Sequence, residues 1–393
     1  MGTATNKNLD VCRLLFSFCF LFFAASATSQ PKVDVGGIIS VNYIDGGDGK
    51  SPLTHNDGLP GFELVGDLFM NVRVSEEASV FLEMETWHGW EVRLYSGSLT
   101  YKILGERLQV EAGKFVAPFG NFLPRRFAPQ NFLYGYPLHY EYRVGLAVDK
   151  VPGSNEELLN SRGAGGDYGT QVIARQAYIS GVQFFGNLGR FGYSLGLANG
   201  ALSNPADLNV SKRPLLFGRL HLQPAIGLKI GVSAASGGYL NYKLVKTQRP
   251  NLRPERYAQH IAGLDLEYSR GYLVFFGEGT FSRWQSPYLS ADLDALAFSA
   301  EARYKILPRL FLAARYSRLT FSDIADPQDV DADGKLSEPW DFPVWRLEAG
   351  AGYYLSRQAL LKAVWQINRT QELNPGGDDP ADNLVAVQMT VFY

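Results

Sequence analysis

Segments of about ten residues in which apolar and polar side chains alternate recur along the whole chain. Any fold it adopts must satisfy that period of two. Successive side chains of a strand point to opposite faces, so alternation produces one apolar and one polar surface. Gly61–Ser75 places Phe62, Leu64, Gly66, Leu68, Met70 and Val72 on one face, with Glu63, Asp67, Asn71 and Arg73 on the other. Ala295–Ile306 sets Leu296, Phe298, Ala300, Ala302, Tyr304 and Ile306 against Ser299, Glu301, Arg303 and Lys305. In Ala359–Asn368, Leu361, Ala363, Trp365 and Ile367 oppose Lys362, Gln366 and Asn368. A helix would scatter these acids and bases around its circumference, so the segments read as strands. The last residues, NLVAVQMTVFY (383–393), alternate in the same way and end on an aromatic residue.

The connections differ in length on the two sides. Short turns are expected at 75–78 (SEEA), 105–107 (GER), 187–190 (NLGR), 224–227 (PAIG), 269–271 (SRG), 307–309 (LPR) and 356–358 (SRQ). Between most of them lie long Gly-, Pro- and Asp-rich loops such as GGDGKSPLTHNDGLP (46–60) and DIADPQDVDADGKLSEPWDFP (323–343). Counting segments predicts sixteen strands, an even number, with short turns on one side and long loops on the other. A bacterial outer-membrane barrel has this plan. Lipid satisfies no backbone group, so a membrane sheet must close on itself. The 21 Tyr, 25 Phe and 6 Trp fit this reading, because many fall near strand ends, where aromatic girdles are expected. A soluble sandwich of this length would divide into domains and a propeller would repeat every four strands, and neither pattern is present. The fold expected is therefore all-β: a sixteen-stranded antiparallel transmembrane barrel, whose terminal strand pairs with Val33–Ile44. Val33, Val35, Ile39, Val41 and Tyr43 are then expected to face lipid.

The N-terminus suits that destination. Lys7 and Arg13 precede an apolar run from Leu14 to Ala25, and Ala25-Ser26-Ala27 supplies a cleavage site, so residues 1–27 read as a secretory signal peptide and 28–393 as the barrel. The run is too short for the roughly 20 residues of a spanning helix, and no later run approaches that length. Cys12 and Cys19 both lie in the leader, which leaves a secreted chain without disulfides. A net charge of −2 argues against nucleic-acid binding. Localisation in the outer membrane of a Gram-negative bacterium follows as an expectation.

Sixteen strands enclose a water-filled lumen, so selectivity depends on what narrows it. The outstanding connection begins with KFVAPFGNFLPRRFAPQNFLYGYPLHYEYR (114–143) and runs to about Gly169. A connection of this length is usually functional, and its Pro and aromatic content does not suit a solvated loop. Gly113-x-Phe115, Pro118-Phe119-Gly120, the Arg125-Arg126 pair, Pro129 and Asn131-Phe132-Leu133 resemble the third-loop region of the phosphate-selective porin O and P family. Tyr193–Gly200 (YSLGLANG) is similar to the same family, and Gly263–Tyr268 (GLDLEY) more weakly so. The resemblance implies an inward-folded third loop over about 117–169 that forms the pore constriction, and a homotrimer. It also implies that the last strand is read by the barrel-assembly machinery. Carried over by position, Arg125 and Arg126 would line the constriction, with Lys114 at its base and Arg143 farther along, each offering a cation to an anion leaving its hydration shell. Alternatively Arg125 and Arg126 pair with carboxylates such as Glu111 or Glu141.

One departure weakens phosphate selectivity. That family carries an arginine ladder, whereas inward positions here mix signs, with Glu63, Asp67, Glu83, Glu85 and Glu111 on early strands and Arg219, Lys229, Arg303, Lys305 and Arg346 on later ones. Such an arrangement predicts a transverse field for orienting dipolar solutes. The expected function is passive diffusion of small hydrophilic solutes, with anion preference as one option, without cofactor or energy input. One alternative is a more specific channel for an organic acid or sugar, with Tyr134, Tyr136, Tyr140 and Tyr142 as a stacking slide. Another is a plugged barrel serving as a surface scaffold or adhesin.

Enzymatic chemistry is not expected. Gly192-Tyr193-Ser194-Leu195-Gly196 fits the G-x-S-x-G nucleophile elbow, but that motif needs a strand-to-helix turn and Ser194 lies mid-strand. Asp329, Asp331 and Asp333 before Gly334 form the first half of a calcium loop, although its twelfth position is Trp340, flanked by Glu338 and Asp341. Any Ca2+ held there would stiffen the outer loop or bridge to lipopolysaccharide.

Overall fold

The computed structural model describes residues 31–46, 60–87, 91–163, 169–207, 211–330, 334–370 and 381–393. Sixteen antiparallel strands close into a barrel. They are β1 (Lys32–Asp45), β2 (Gly61–Arg73), β3 (Ala78–Trp87), β4 (Glu91–Lys102), β5 (Gln109–Val116), β6 (Tyr178–Leu188), β7 (Phe191–Ala198) and β8 (Leu215–Ala225). There follow β9 (Leu228–Gly238), β10 (Ala258–Arg270), β11 (Leu273–Trp284), β12 (Leu293–Leu307), β13 (Leu310–Phe321), β14 (Val344–Ser356), β15 (Ala359–Thr370) and β16 (Ala381–Phe392). Each strand pairs with its sequence neighbour, so every ladder bond is made within the ring. No helix among the described residues is long and apolar enough to cross a membrane.

The ring closes as the alternation predicts. β1 and β16 pair in the register Ile38↔Phe392 to Asp45↔Val385. Across that seam Ser40 Oγ lies 2.9 Å from Thr390 Oγ1, and Gln388 Nε2 donates to Asn42 Oδ1 at 2.8 Å. Gly37 has no side chain because the Tyr393 ring occupies the space, 2.8 Å from where a Cβ would stand. The seven expected short turns all fall between consecutive strands. The leader at 1–27 and most of the 46–60 loop lie outside the described residues.

The two faces of the wall separate by chemistry. Val33, Val35, Ile39, Val41, Leu296, Phe298, Tyr304, Leu361 and Trp365 are exposed on the outside, where the predicted pattern put them, and Tyr43 is half-exposed. Ser299, Glu301, Lys362, Gln366 and Asn368 are buried on the inside. Apolar groups facing outward around a whole ring match a hydrocarbon surrounding rather than water.

The connection after β5 is longer than the sequence suggested. β6 starts at Tyr178, so the segment runs 117–177 rather than ending near Gly169. After Gly169, residues such as Val172 and Ile173 are themselves fully buried, and the Gly-rich stretch before them does not mark its end. The connection contains a 3-10 turn at Leu123–Arg125 and the short helices α1 (Leu138–Glu141) and α2 (Asn155–Leu159). Ser154 caps α2 by accepting from Glu157 N. Phe119, Phe122, Leu123, Tyr140, Tyr142, Val144, Val172 and Ile173 form the main buried cluster with wall residues Phe217, Ile261, Trp284, Ala295, Ala297 and Leu319. Phe132 and Leu133 join Phe276, Phe311, Leu360 and Val364 in a second cluster.

Candidate functional site

The polar contacts of the 117–177 connection define the site. Glu278 on β11 is one node, where its carboxylate accepts from Asn121 N at 2.9 Å, Phe122 N at 3.3 Å and Tyr140 Oη at 2.5 Å, with His139 Nε2 at 2.9 Å. Asn121 Nδ2 in turn donates to Leu266 O and Gly277 O at 3.0 and 3.1 Å. The preceding residue must be glycine. Gly120 has φ +63° and a Cβ there would lie 2.5 Å from the Glu278 carboxyl. Burial and the adjacent Glu278 carboxylate push the Tyr140 hydroxyl well above its ordinary pKa, so it remains a donor.

A second node links β12, β13 and β14. Arg125 Nη1 meets Glu301 at 2.6 Å. Arg315 bridges Glu301 at 3.1 Å and Glu348 at 2.5 and 2.8 Å, and donates to the carbonyls of Tyr134 and Gly135 at 3.2 and 3.1 Å. Arg346 holds Glu141, Asn368 Oδ1 at 2.6 Å and Tyr136 O at 2.9 Å. On β15, Lys362 Nζ donates to three carbonyls, Ala128, Asn131 and Leu133, each at 2.9 Å. Buried charges survive only when paired and hydrogen-bonded, since each costs several kcal/mol to desolvate. These networks supply the required partners.

The basic residues singled out in the sequence occupy different environments. Arg125 is paired with Glu301 and stacked 3.8 Å from the Phe276 centroid. Desolvation lowers its pKa, with Glu301 opposing that effect. Arg126 donates to Glu83 on β3 at 3.0 Å, to Leu123 O at 2.9 Å and to Tyr178 Oη at 2.5 Å. The carboxylate partners are therefore Glu301 and Glu83, not Glu111 or Glu141. Glu111 is engaged by Ser98 and Gln183 at 2.6 Å each, and Glu141 by Arg346. Lys114 pairs with Asp207 at 2.8 Å and lies 5.9 Å from the centroid of Tyr178, the ring that Arg126 also contacts. Arg143 is half-buried farther along the segment, as its position in the sequence implied.

The later basic strand residues are compensated as well. Arg219 forms a two-pronged pair with Asp265 at 2.5 and 2.8 Å, and Arg303 lies between the rings of Phe132 and Phe311. Of these residues Arg219 and Arg346 are neutralised by carboxylates, which weakens a transverse field from that side. Tyr140 and Tyr142 are fully buried, so of the four tyrosines only Tyr134 and Tyr136 are partly exposed.

Two motifs of the sequence lie apart from these nodes. Ser194 sits mid-strand opposite Arg219, with no strand-to-helix turn beside it. Asp329 accepts from Gly334 N at 3.0 Å, while Asp331 and Asp333 lie outside the described residues. The flanking acids serve the long connection. Glu338 pairs with Arg162 at 3.4 Å, and Asp341 accepts from Tyr142 Oη at 3.0 Å, Gly145 N at 2.6 Å and Gly163 N at 3.3 Å. Burial pushes the Asp341 carboxyl up to about 6, despite these donors.

Arg315, Lys362 and Arg175 escaped the sequence reading as site residues. Arg315 and Lys362 fall at inward-facing positions, which the alternation reveals, but nothing local tells an anchor from a solvated lumen charge. Arg175 lies beyond the expected end of the connection.

No family profile and no curated protein matches the chain. Its fold does match solved structures. An anion-selective porin from Comamonas acidovorans superposes with a TM-score of 0.60 at 10% identity, over 93% of this chain and 100% of the other. OmpT, an outer membrane protein of Vibrio cholerae, gives 0.58 at 11%, over 94% and 100%. The outer membrane channel DcaP of Acinetobacter baumannii gives 0.56 at 12%, over 94% and 99%. The likeness is one of fold: a closed antiparallel barrel, here of sixteen strands, like these outer membrane proteins.

Proposed function

We propose that the protein is an outer-membrane porin through which small hydrophilic solutes diffuse passively. One observation carries the reading most: a closed ring of sixteen strands that is apolar outside and polar inside. Such a ring sits stably in lipid and encloses water. The 117–177 connection lies inside the ring in this reading. Its support is that one segment reaches inward-facing groups on β3, β11, β12, β13, β14 and β15, which stand around the ring from one another. It narrows the lumen against the later strands and β3, and leaves to water the stretch of β2 where Glu63, Asn71 and Arg73 are exposed. A homotrimer and delivery by the barrel-assembly machinery through the β16 terminus belong to the same proposal.

Phosphate selectivity through Arg125 and Arg126 is not part of it, because Glu301 and Glu83 occupy their guanidinium groups. Extensive burial of the connection also favours a second reading, a plugged barrel acting as a surface scaffold. Planar-bilayer recording of the refolded protein separates the two. Steady open current supports the porin, and silent but correctly folded barrels overturn it.

A further inference from the structure

The connection carries three arginines near the charged wall, and solvent reaches them unequally. The side chain of Arg175 is 43% exposed, against 11% for Arg125 and 5% for Arg126. Its surroundings identify which solvent this is. The guanidinium lies 4.8 Å from the Tyr136 ring centroid and 3.9 Å from Glu141, and it is within electrostatic reach of Tyr134, Glu63 and Glu85. Glu63 and Glu85 are on the polar, inward face of β2 and β3, opposite the exposed apolar Phe62 and Leu64. Water that contacts Arg175 therefore belongs to the interior.

Geometry also leaves Arg175 available. Glu141 is already held through Oε2 by Arg346 and by Tyr136 N, so its contact with Arg175 is a long one through the other oxygen. The backbone is fixed nonetheless, with Arg175 N donating to Gln171 Oε1 at 3.0 Å. Next in the chain, Gln176 Nε2 ties this point to Glu85 at 2.8 Å. The wall carboxylates within electrostatic reach of the guanidinium are Glu63 and Glu85, and Asp67 is paired opposite Glu85 in the ladder.

Building on the porin reading, we infer that Arg175 is the residue that sets the charge preference of the passage. Its planar fork is a preformed partner for a carboxylate or another oxyanion, and a permeating anion replaces only the long contact to Glu141. Glu63 and Glu85 would repel anions there if the guanidinium were absent. Arg175 is thus an exposed cation set beside acidic wall residues, and the local balance depends on it.

The test is the reversal potential in a KCl gradient across a planar bilayer, for wild type, Arg175→Gln, Arg175→Lys and Glu85→Gln. Arg175→Gln should lower the chloride-to-potassium permeability ratio several-fold, Arg175→Lys should restore most of it, and Glu85→Gln should raise it. A persistent current whose ratio is unchanged by Arg175→Gln overturns the assignment and leaves the porin standing. Absence of current from folded wild-type barrels overturns the porin reading itself. Heat-modifiable mobility on gels confirms that each variant has folded, and the Lys variant keeps the test open if the Gln variant does not fold.

Discussion

On β11–β15, the inward charges Glu278, Glu301, Arg315, Arg346 and Lys362 are almost wholly buried and engaged by the 117–177 connection, and Glu348 is buried against Arg315. On β2, Glu63 and Arg73 remain exposed and Asp67 is only half-buried, although Glu83 and Glu85 on neighbouring β3 are buried and held by Arg126 and Gln176 of the same connection. Both walls are inner faces of one sheet and carry similar residue types. The difference lies in what covers them. A covered charge must find a fixed partner because desolvation is expensive, whereas a wetted charge stays available to a passing solute. Charges on the covered wall therefore hold the structure, and those on the open wall remain accessible to solvent.

Removing an anchor should break this contrast most severely. Lys362→Met leaves three buried carbonyls without their donor, a loss on the order of 3 kcal/mol or more. Residues 128–133 should become open to protease, and single-channel conductance should rise. Intact resistance with wild-type conductance would mean that Lys362 is not an anchor.

Glu301→Gln comes next. It strips Arg125 and Arg315 of a shared carboxylate and should cost roughly 2–3 kcal/mol, seen as a lower temperature for loss of the folded gel mobility. Gly120→Ala should cost about 1–2 kcal/mol from the left-handed backbone alone, with displacement of Glu278 added to it. The same mobility assay reads it out.

A proton is a gentler probe of how the segment is fastened to the outer loop. The Asp341 carboxyl titrates near 6 in the folded protein, above its ordinary 3.8. A raised carboxylate pKa contributes stability that is complete below about pH 4 and lost as the pH climbs through 6. Amide exchange of Gly145 and Gly163, corrected for intrinsic rates, should be slower at pH 5 than at pH 7. Asp341→Asn should erase that difference.

On the open wall the expectation reverses. Glu63→Gln should leave stability within about 0.5 kcal/mol of wild type and shift the reversal potential toward anions. A large loss of stability from this substitution would erase the distinction between the two walls.

The alternation in Ala295–Ile306 and Ala359–Asn368 was enough to assign which side chains face out. The seven short turns and the terminal aromatic strand gave the strand number and the closing pair. The connection containing Lys114, Arg125, Arg126 and Arg143 was also recognisable from its length and composition. Its end at Ala177 was not, and with it Arg175 was missed. Neither were the partners: Arg126 meets Glu83 43 residues earlier, Arg125 meets Glu301 176 residues later, and Lys362 reaches back 234 residues to Ala128. The physical reason is range. Strand direction and facing are fixed by sterics between adjacent residues, so the sequence by itself determined the wall. Which charges are wetted and which are locked depends on the path of one segment across a ring that exists only once all sixteen strands have closed, and only the tertiary structure decided that.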